Sequence, residues 1–303
     1  MYKKILVPLD GSPSAEQVLP LAHALAAKLP LAVELLGVVD TVELARGLAT
    51  IERFYMTSVV ADETRRIEEY LAAVEKTFSG SAVTNTVAEG HAAELIIANA
   101  AADKTTLIAM ASHGRSGLKR FLLGSVAEKV LRGAANPLLL VRSTEEVKAA
   151  GAALLRSIVV PLDGSELAES VLPTVVELAH KLELEIILLR AYAIPYGAYT
   201  AGEGFYDPVN LEALLTRLRQ ETIDYLERKT AKLKREGCEK VSYVAREGLS
   251  ADEIIKIAGA TADSLIAMCS HGYSGVKRWV LGSVTETVVR HARNPVLVLR
   301  AGT

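Results

Sequence analysis

The sequence predicts an α/β fold built as two tandem copies, each a doubly wound domain around a five-stranded parallel sheet. Three observations predict it. Residues 112–142 recur at 270–300, identical at 19 of 31 positions without a gap, so the chain carries a duplicated domain. Short β-rich runs alternate with helix-length amphipathic stretches, the βαβ pattern of a parallel sheet covered on both faces. A length of 303 residues allows about two domains, each able to bury its own core. The boundary falls near residue 150, giving domains at 1–145 and 154–303.

The elements follow in order. In the first copy 4–9 reads as a strand, 14–29 as a helix and 33–39 as a strand. A helix over 58–78 carries Val59, Val60, Ile67, Tyr70, Leu71, Val74 and Phe78 at near-helical spacing. Strand 83–88, helix 91–102, strand 105–111, helix 124–133 and strand 138–142 complete it. The second copy repeats the steps, with strands near 157–162, 185–191, 240–245, 264–269 and 295–299. Its long helix, 211–236, stops at Gly237, a residue suited to helix ends. Weak periodicity with Gly, Pro and Tyr marks 40–57 and 192–210 as loops or lids, and 143–156 as the connection between copies.

Composition narrows the classes of function. A net charge of −2 gives no overall attraction to nucleic acid or to an anionic membrane. Apolar runs are too short to span a bilayer, and the first residues enter a strand pattern with no signal-peptide core. A soluble cytoplasmic protein is expected. Cys238 and Cys269 share neither a disulfide framework nor metal-type spacing, and read as reduced thiols.

Two recurring motifs carry the chemistry. Pro8-Leu9-Asp10-Gly11-Ser12 reappears as Pro161-Leu162-Asp163-Gly164-Ser165, each where a first strand ends. In a doubly wound sheet the ligand crevice opens at these strand ends, and a carboxylate there can accept hydrogen bonds from ribose or base, or approach a cation. Its plainer use is a turn aspartate that caps the next helix. The second motif is Ser112-His113-Gly114, nine residues, then Gly124-Ser125-Val126, matched by Ser270-His271-Gly272, nine residues, then Gly282-Ser283-Val284. Gly124 and Gly282 stand where helices begin, so the free N–H groups behind them form an anion cradle. Hydroxyls of Ser125, Ser283 and Thr285 add donors. Ala127 takes the place of Thr285, so the second copy holds the fuller set.

These residues resemble the universal stress protein family over nearly the whole chain, as two tandem domains. The family's nucleotide-binding motif is Gly, two residues, Gly, nine residues, Gly, then Ser or Thr. Ala111 and Cys269 stand in place of its first glycine, a change that costs little unless the position needs a positive φ. The resemblance implies an adenine nucleotide alpha hydrolase-like or flavodoxin-like sheet with strand order 3-2-1-4-5. It implies that adenine and ribose lie against Pro8, Asp10, Val38 and Met110, and against Pro161, Asp163, Ala191 and Met268. Phosphate contacts fall on Gly114, Gly124, Ser125 and Val126, and on Gly272, Gly282, Ser283, Val284 and Thr285. Mg²⁺ accompanies the phosphates, with Asp10 and Asp163 as the acids beside it. Pairing of 138–142 with 296–300 inside one chain, as a pseudo-dimer with further homodimers allowed, is also implied.

Other chemistry finds less support. There is no G-x-x-x-x-G-K-[ST] loop and no G-x-G-x-x-G after a strand. His113 and His271 lack an assignable nucleophile and orienting acid, so no catalytic residue is named. Lys119, Arg120, Lys277 and Arg278 read as solvated charges or a screen for a phosphate tail, and Phe121 and Trp279 as packing residues. The expected activity is binding of ATP, or of ADP or AMP, by a nucleotide-dependent regulator in the stress response. A degenerate-site interaction scaffold and a slow ATPase are the alternatives.

Overall fold

A computed structural model describes residues 2–42, 44, 56–113, 123–143, 155–194, 208–270 and 281–300. The chain forms two compact units. The first holds the N-terminal half together with the C-terminal strand, and the second holds most of the rest from Leu155 onward.

In the first unit the elements are β1 Lys4–Leu9, α1 Pro13–Glu16, α2 Leu19–Lys28, β2 Ala32–Val39, α3 Met56–Glu75, β3 Val83–Glu89, α4 Ala92–Ala101, β4 Thr106–Ala111, α5 Ser125–Gly133 and β5 Leu138–Val141. Hydrogen bonding orders the strands β3-β2-β1-β4-β5, all parallel, the predicted winding. Both faces of the sheet are covered, so β1 and β4 are apolar after their first residues, and Ile5, Leu6, Ile108 and Ala109 are wholly buried. The one helix expected over 14–29 is two pieces. Pro20 lacks the N–H that a continuous helix would use, and the second piece starts with it inside its first turn.

The second unit has β6 Ser157–Pro161, α6 Glu166–Glu169, α7 Leu172–Leu182, β7 Glu185–Tyr192, α8 Pro208–Arg235, β8 Val241–Glu247, α9 Ser250–Ala260, β9 Ser264–Cys269 and α10 Ser283–His291. Its order, β9-β6-β7-β8, repeats β4-β1-β2-β3. The long helix begins three residues before the sequence reading placed it.

The repeat's last strand, β10 Val296–Leu299, groups with the first unit. It runs antiparallel to β5, with Leu297 opposite Leu139, so the strand pairing implied by the family resemblance is present. Both strands are short, apolar and buried along most of their length, which covers an edge that would otherwise attract foreign strands.

Each copy also fixes its last strand through the Asn-Pro pair. Asn136 donates its amide to the carbonyls of Asp103 and Thr106, and Asn294 donates to those of Ala258 and Ser264. No helix among the described residues is long and apolar enough to cross a membrane.

Candidate functional site

At the carboxyl end of β1 the chain turns through Gly11, whose φ of 78° is a conformation that glycine adopts without strain. Asp10 Oδ1 accepts from the Ser12 N–H at 3.0 Å and from the Ser12 hydroxyl at 2.6 Å. The same hydroxyl accepts the Ala15 N–H at 3.1 Å and so caps α1. The aspartate thus holds the turn, while the cap of the helix is Ser12 and not Asp10. The same turn fixes the carboxyl group at the strand end.

Facing it is the start of α5. Gly124 is the N-cap, extended at φ −60°, with no side chain capping the helix. The amides of Ser125 and Val126 precede the first intrahelical bond and are left for a ligand. Gly124 donates to the Ser112 carbonyl at 2.8 Å, and a Cβ at Gly124 would come within 3.0 Å of that oxygen and 3.4 Å of His113 Cα. Ser112 is tied in turn to the end of β5, where its hydroxyl accepts the Ser143 N–H. Glycine is required here by close approach, since its φ suits any residue.

Between these elements lies a cavity of about 530 Å³. Pro8, Asp10, Val38, Met110, Gly124, Ser125 and Val126 all line it, every residue that the sequence reading assigned to the first site within the described region. Gly114 lies outside the described residues, as do Gly272, His271, Lys119, Arg120, Lys277, Arg278, Phe121 and Trp279. Ala111 and Cys269, in place of the family's first glycine, end β4 and β9 in extended backbone, so neither strains its φ.

Several lining residues escaped the sequence reading. Asp40 follows β2, accepts the Val42 N–H at 3.1 Å and has His91 Nδ1 3.7 Å away. Glu63 and Arg66 enter from α3 as a two-pronged ion pair with contacts of 2.7 and 2.6 Å. His113 also lines the cavity, and its Nδ1 lies 3.2 Å from the Ser112 hydroxyl. Burial, helped by the Arg142 charge, holds the imidazole below its ordinary range. Nothing marks Glu63 or Arg66 in the sequence, because only the packing of α3 against β2 and β3 brings them to the cavity.

The second copy repeats the frame. Asp163 Oδ1 accepts from the Ser165 N–H at 2.9 Å and the Ser165 hydroxyl at 2.6 Å, and Gly164 has φ 91°. Gly282 caps α10 at φ −64° and donates to the Ser270 carbonyl at 2.8 Å. Pro161, Asp163, Ala191 and Met268 stand at the ends of β6, β7 and β9, with Ser283 and Val284 opening α10. Thr285 differs from its expected use. Its buried hydroxyl donates to the Cys269 carbonyl at 3.0 Å and faces the strand.

The histidines off the motifs find partners in the fold: His23 meets the Thr77 hydroxyl at 2.9 Å, and His180 lies 3.5 Å from the Cys238 thiol. Among the described residues no group of three or more His, Cys, Asp or Glu is placed to hold a metal ion.

The family model described as Universal stress protein family matches residues 1–142 and again 155–300. This chain belongs to the universal stress protein family, as a tandem member. Universal stress protein MJ0577 of Methanocaldococcus jannaschii is 33% identical over 162 residues, 47% of this chain and 96% of that protein. Universal stress protein MJ0531 of the same organism is 29% identical over 150 residues, 50% of this chain and 85% of its own length. In structure, a universal stress protein from Archaeoglobus fulgidus superposes with TM-score 0.69 at 21% identity, covering 99% of this chain and 98% of the other, so the tandem fold is shared.

Proposed function

We propose that the protein binds an adenine nucleotide in the cavity of its first unit and acts in the cytoplasm as a nucleotide-dependent regulator in the stress response. One observation carries the reading: seven residues chosen from sequence as base, ribose and phosphate contacts converge on one cavity of about 530 Å³. That volume suits a ligand of nucleotide size.

The residues present fit such a ligand. Pro8, Val38 and Met110 offer apolar surface for a base, and Asp10 is held at the strand end to accept from ribose hydroxyls. Gly124, where a Cβ would press on the Ser112 carbonyl, lets the start of α5 close against the end of β4, and the amides of Ser125 and Val126 behind it would take the phosphate. Mg²⁺, when bound, would ride on the phosphates and offset their charge beside Asp10. Binding is the proposed activity, and no residue is assigned a catalytic role.

The test is direct. Purified protein is denatured and the released small molecules are identified by chromatography and mass spectrometry, and the emptied protein is titrated with ATP and Mg²⁺ by calorimetry. The reading predicts released adenine nucleotide or measurable binding, lost in Gly124→Val. No release, with no heat on titration, would leave the interaction scaffold as the function.

A further inference from the structure

The first unit's cavity crosses three strand ends in the order β2, β1 and β4. The amide cradle of α5 follows β4, Asp10 follows β1, and Val38 and Asp40 stand at the end of β2, on which α3 packs. A nucleotide with its phosphates on the cradle and its ribose by Asp10 therefore turns its base toward β2 and α3. Charge favours that direction, since the carboxylates of Asp40 and Glu63 on the β2 side repel phosphate while the start of α5 attracts it.

The wall that the base meets there carries Glu63 and Arg66. Arg66 donates from Nε to Glu63 Oε2 at 2.7 Å and from Nη2 to Oε1 at 2.6 Å, which holds the two groups in one order along α3. The Glu63 side chain is 20% exposed, and both groups line the cavity. Each can make more hydrogen bonds than the two they share, so the pair presents an acceptor beside a donor. The edge of adenine is the complement of that pair: its 6-amino group donates and the ring nitrogen N1 beside it accepts. In hypoxanthine both are reversed, because C6 carries an oxo group and N1 a proton.

Comparison of the copies sets this wall apart. Pro8, Asp10, Met110 and the Gly124-Ser125-Val126 run, on the ribose and phosphate side, recur unchanged in the second copy. The β2 and α3 side does not recur. Leu36 is registered opposite Pro8 and Leu189 opposite Pro161, so Val38, Val39 and Asp40 become Ala191, Tyr192 and Ala193. Tyr70-Leu71 of α3 matches Tyr225-Leu226 of α8, with both leucines wholly buried and each tyrosine beside the glutamate six residues after the strand-end aspartate, Glu16 or Glu169. Counting back seven and four residues from the tyrosines, Glu63 and Arg66 become Leu218 and Glu221.

We infer that the Glu63–Arg66 pair reads the base, with the Glu63 carboxylate accepting from the 6-amino group and the Arg66 guanidinium donating to N1, so that the first copy selects adenine over a 6-oxopurine. The inference rests on the nucleotide reading above and names two specificity-determining residues for that site.

The experiment compares ATP with ITP, which differ only in this edge, by calorimetry with Mg²⁺ on emptied full-length protein. The first copy is read as the class of sites lost in Gly124→Val. Wild type is expected to bind ATP roughly 10- to 100-fold more tightly than ITP, the worth of one two-pronged edge contact. Glu63→Gln, whose amide can donate to an oxo group as well as accept from an amino group, should bring the two within about threefold. If that variant fails to fold, Glu63→Leu with Arg66→Glu, the residues of the second copy, should erase the preference as well. ITP bound as tightly as ATP by wild type, or a folded variant that keeps the wild-type ratio, overturns the inference and leaves the nucleotide reading intact. Variants that weaken ATP and ITP alike also overturn it, since a merely structural ion pair would act that way. Absence of ATP binding in wild type sinks the nucleotide reading and this inference with it.

Discussion

Gly37→Ala adds a single methyl group where the structure has no space for one. The new carbon would sit 2.2 Å from Ile67 Cγ2, more than 1 Å inside an ordinary carbon–carbon contact of about 3.5 Å. Ile67 is buried in the seam between α3 and β2, with Leu71 beside it 3.4 Å from the same point, so rotating Ile67 away meets Leu71. Overpacking of this kind costs about 1–3 kcal/mol. For a unit of this size each kcal/mol is worth roughly 2–4 °C, so one calorimetric transition of the full chain should fall by roughly 2–12 °C. Ile67→Thr, the residue found at the matching place in the second copy, should remove the clash. It loses buried methyl groups and is destabilising alone, but the double variant should be more stable than the sum of the two losses by about 0.5–3 kcal/mol. A Gly37→Ala protein melting within 1 °C of wild type, or a strictly additive double-mutant cycle, would refute the packing argument.

Other expectations follow from single contacts. Lys4→Met leaves Glu34 with two neutral donors, Asn99 at 2.7 Å and Thr86 at 3.2 Å, in place of a 2.8 Å ion pair at a nearly buried site, and should cost about 1–3 kcal/mol in urea unfolding. Burial pushes the Glu34 pKa up, but hydrogen bonds from Lys4, Asn99 and Thr86 and the Lys4 charge outweigh it, so the pKa lies below the ordinary 4.5. The stability this group adds is present above that value and is lost as pH falls through the lower folded pKa, a loss that Glu34→Gln should flatten. His113 has a lowered pKa, so the unfolded chain binds more protons just below pH 6.5, and stability should fall as pH drops from there. A Gln at 113 that left the slope of stability against pH unchanged would contradict this. Asn136→Ala and Asn294→Ala each remove two side-chain hydrogen bonds to backbone carbonyls and should each cost about 1–3 kcal/mol, read by chemical unfolding.

The Pro8 to Ser12 pentad and the Gly124-Ser125-Val126 run were legible because their roles are local. A strand end, a turn glycine and a helix start are fixed by backbone geometry and by nearest neighbours, which residue type and spacing record directly. Periodicity likewise placed the strands to within a residue or two, and misjudged α2 only by passing over Pro20. Asp40, Glu63 and Arg66 had no such signature. The places of Glu63 and Arg66 in the cavity depend on how α3 packs on the sheet, and that of Asp40, one residue past β2, on the elements gathered around that strand end, long-range outcomes that no short pattern encodes.

The sequence by itself determined the duplication, the winding of the sheets and the glycine-framed cradle, because each depends on period, repetition and the freedom of small residues at turns. Only the tertiary structure decided that Thr285 points its hydroxyl at a strand and that Arg190 lies flat on Gly164 against Tyr225. In a linear reading Thr285 adds a donor and Arg190 is one more strand residue. Direction in space decides what each one does, since a hydrogen bond or a stacked cation acts only toward the group it faces.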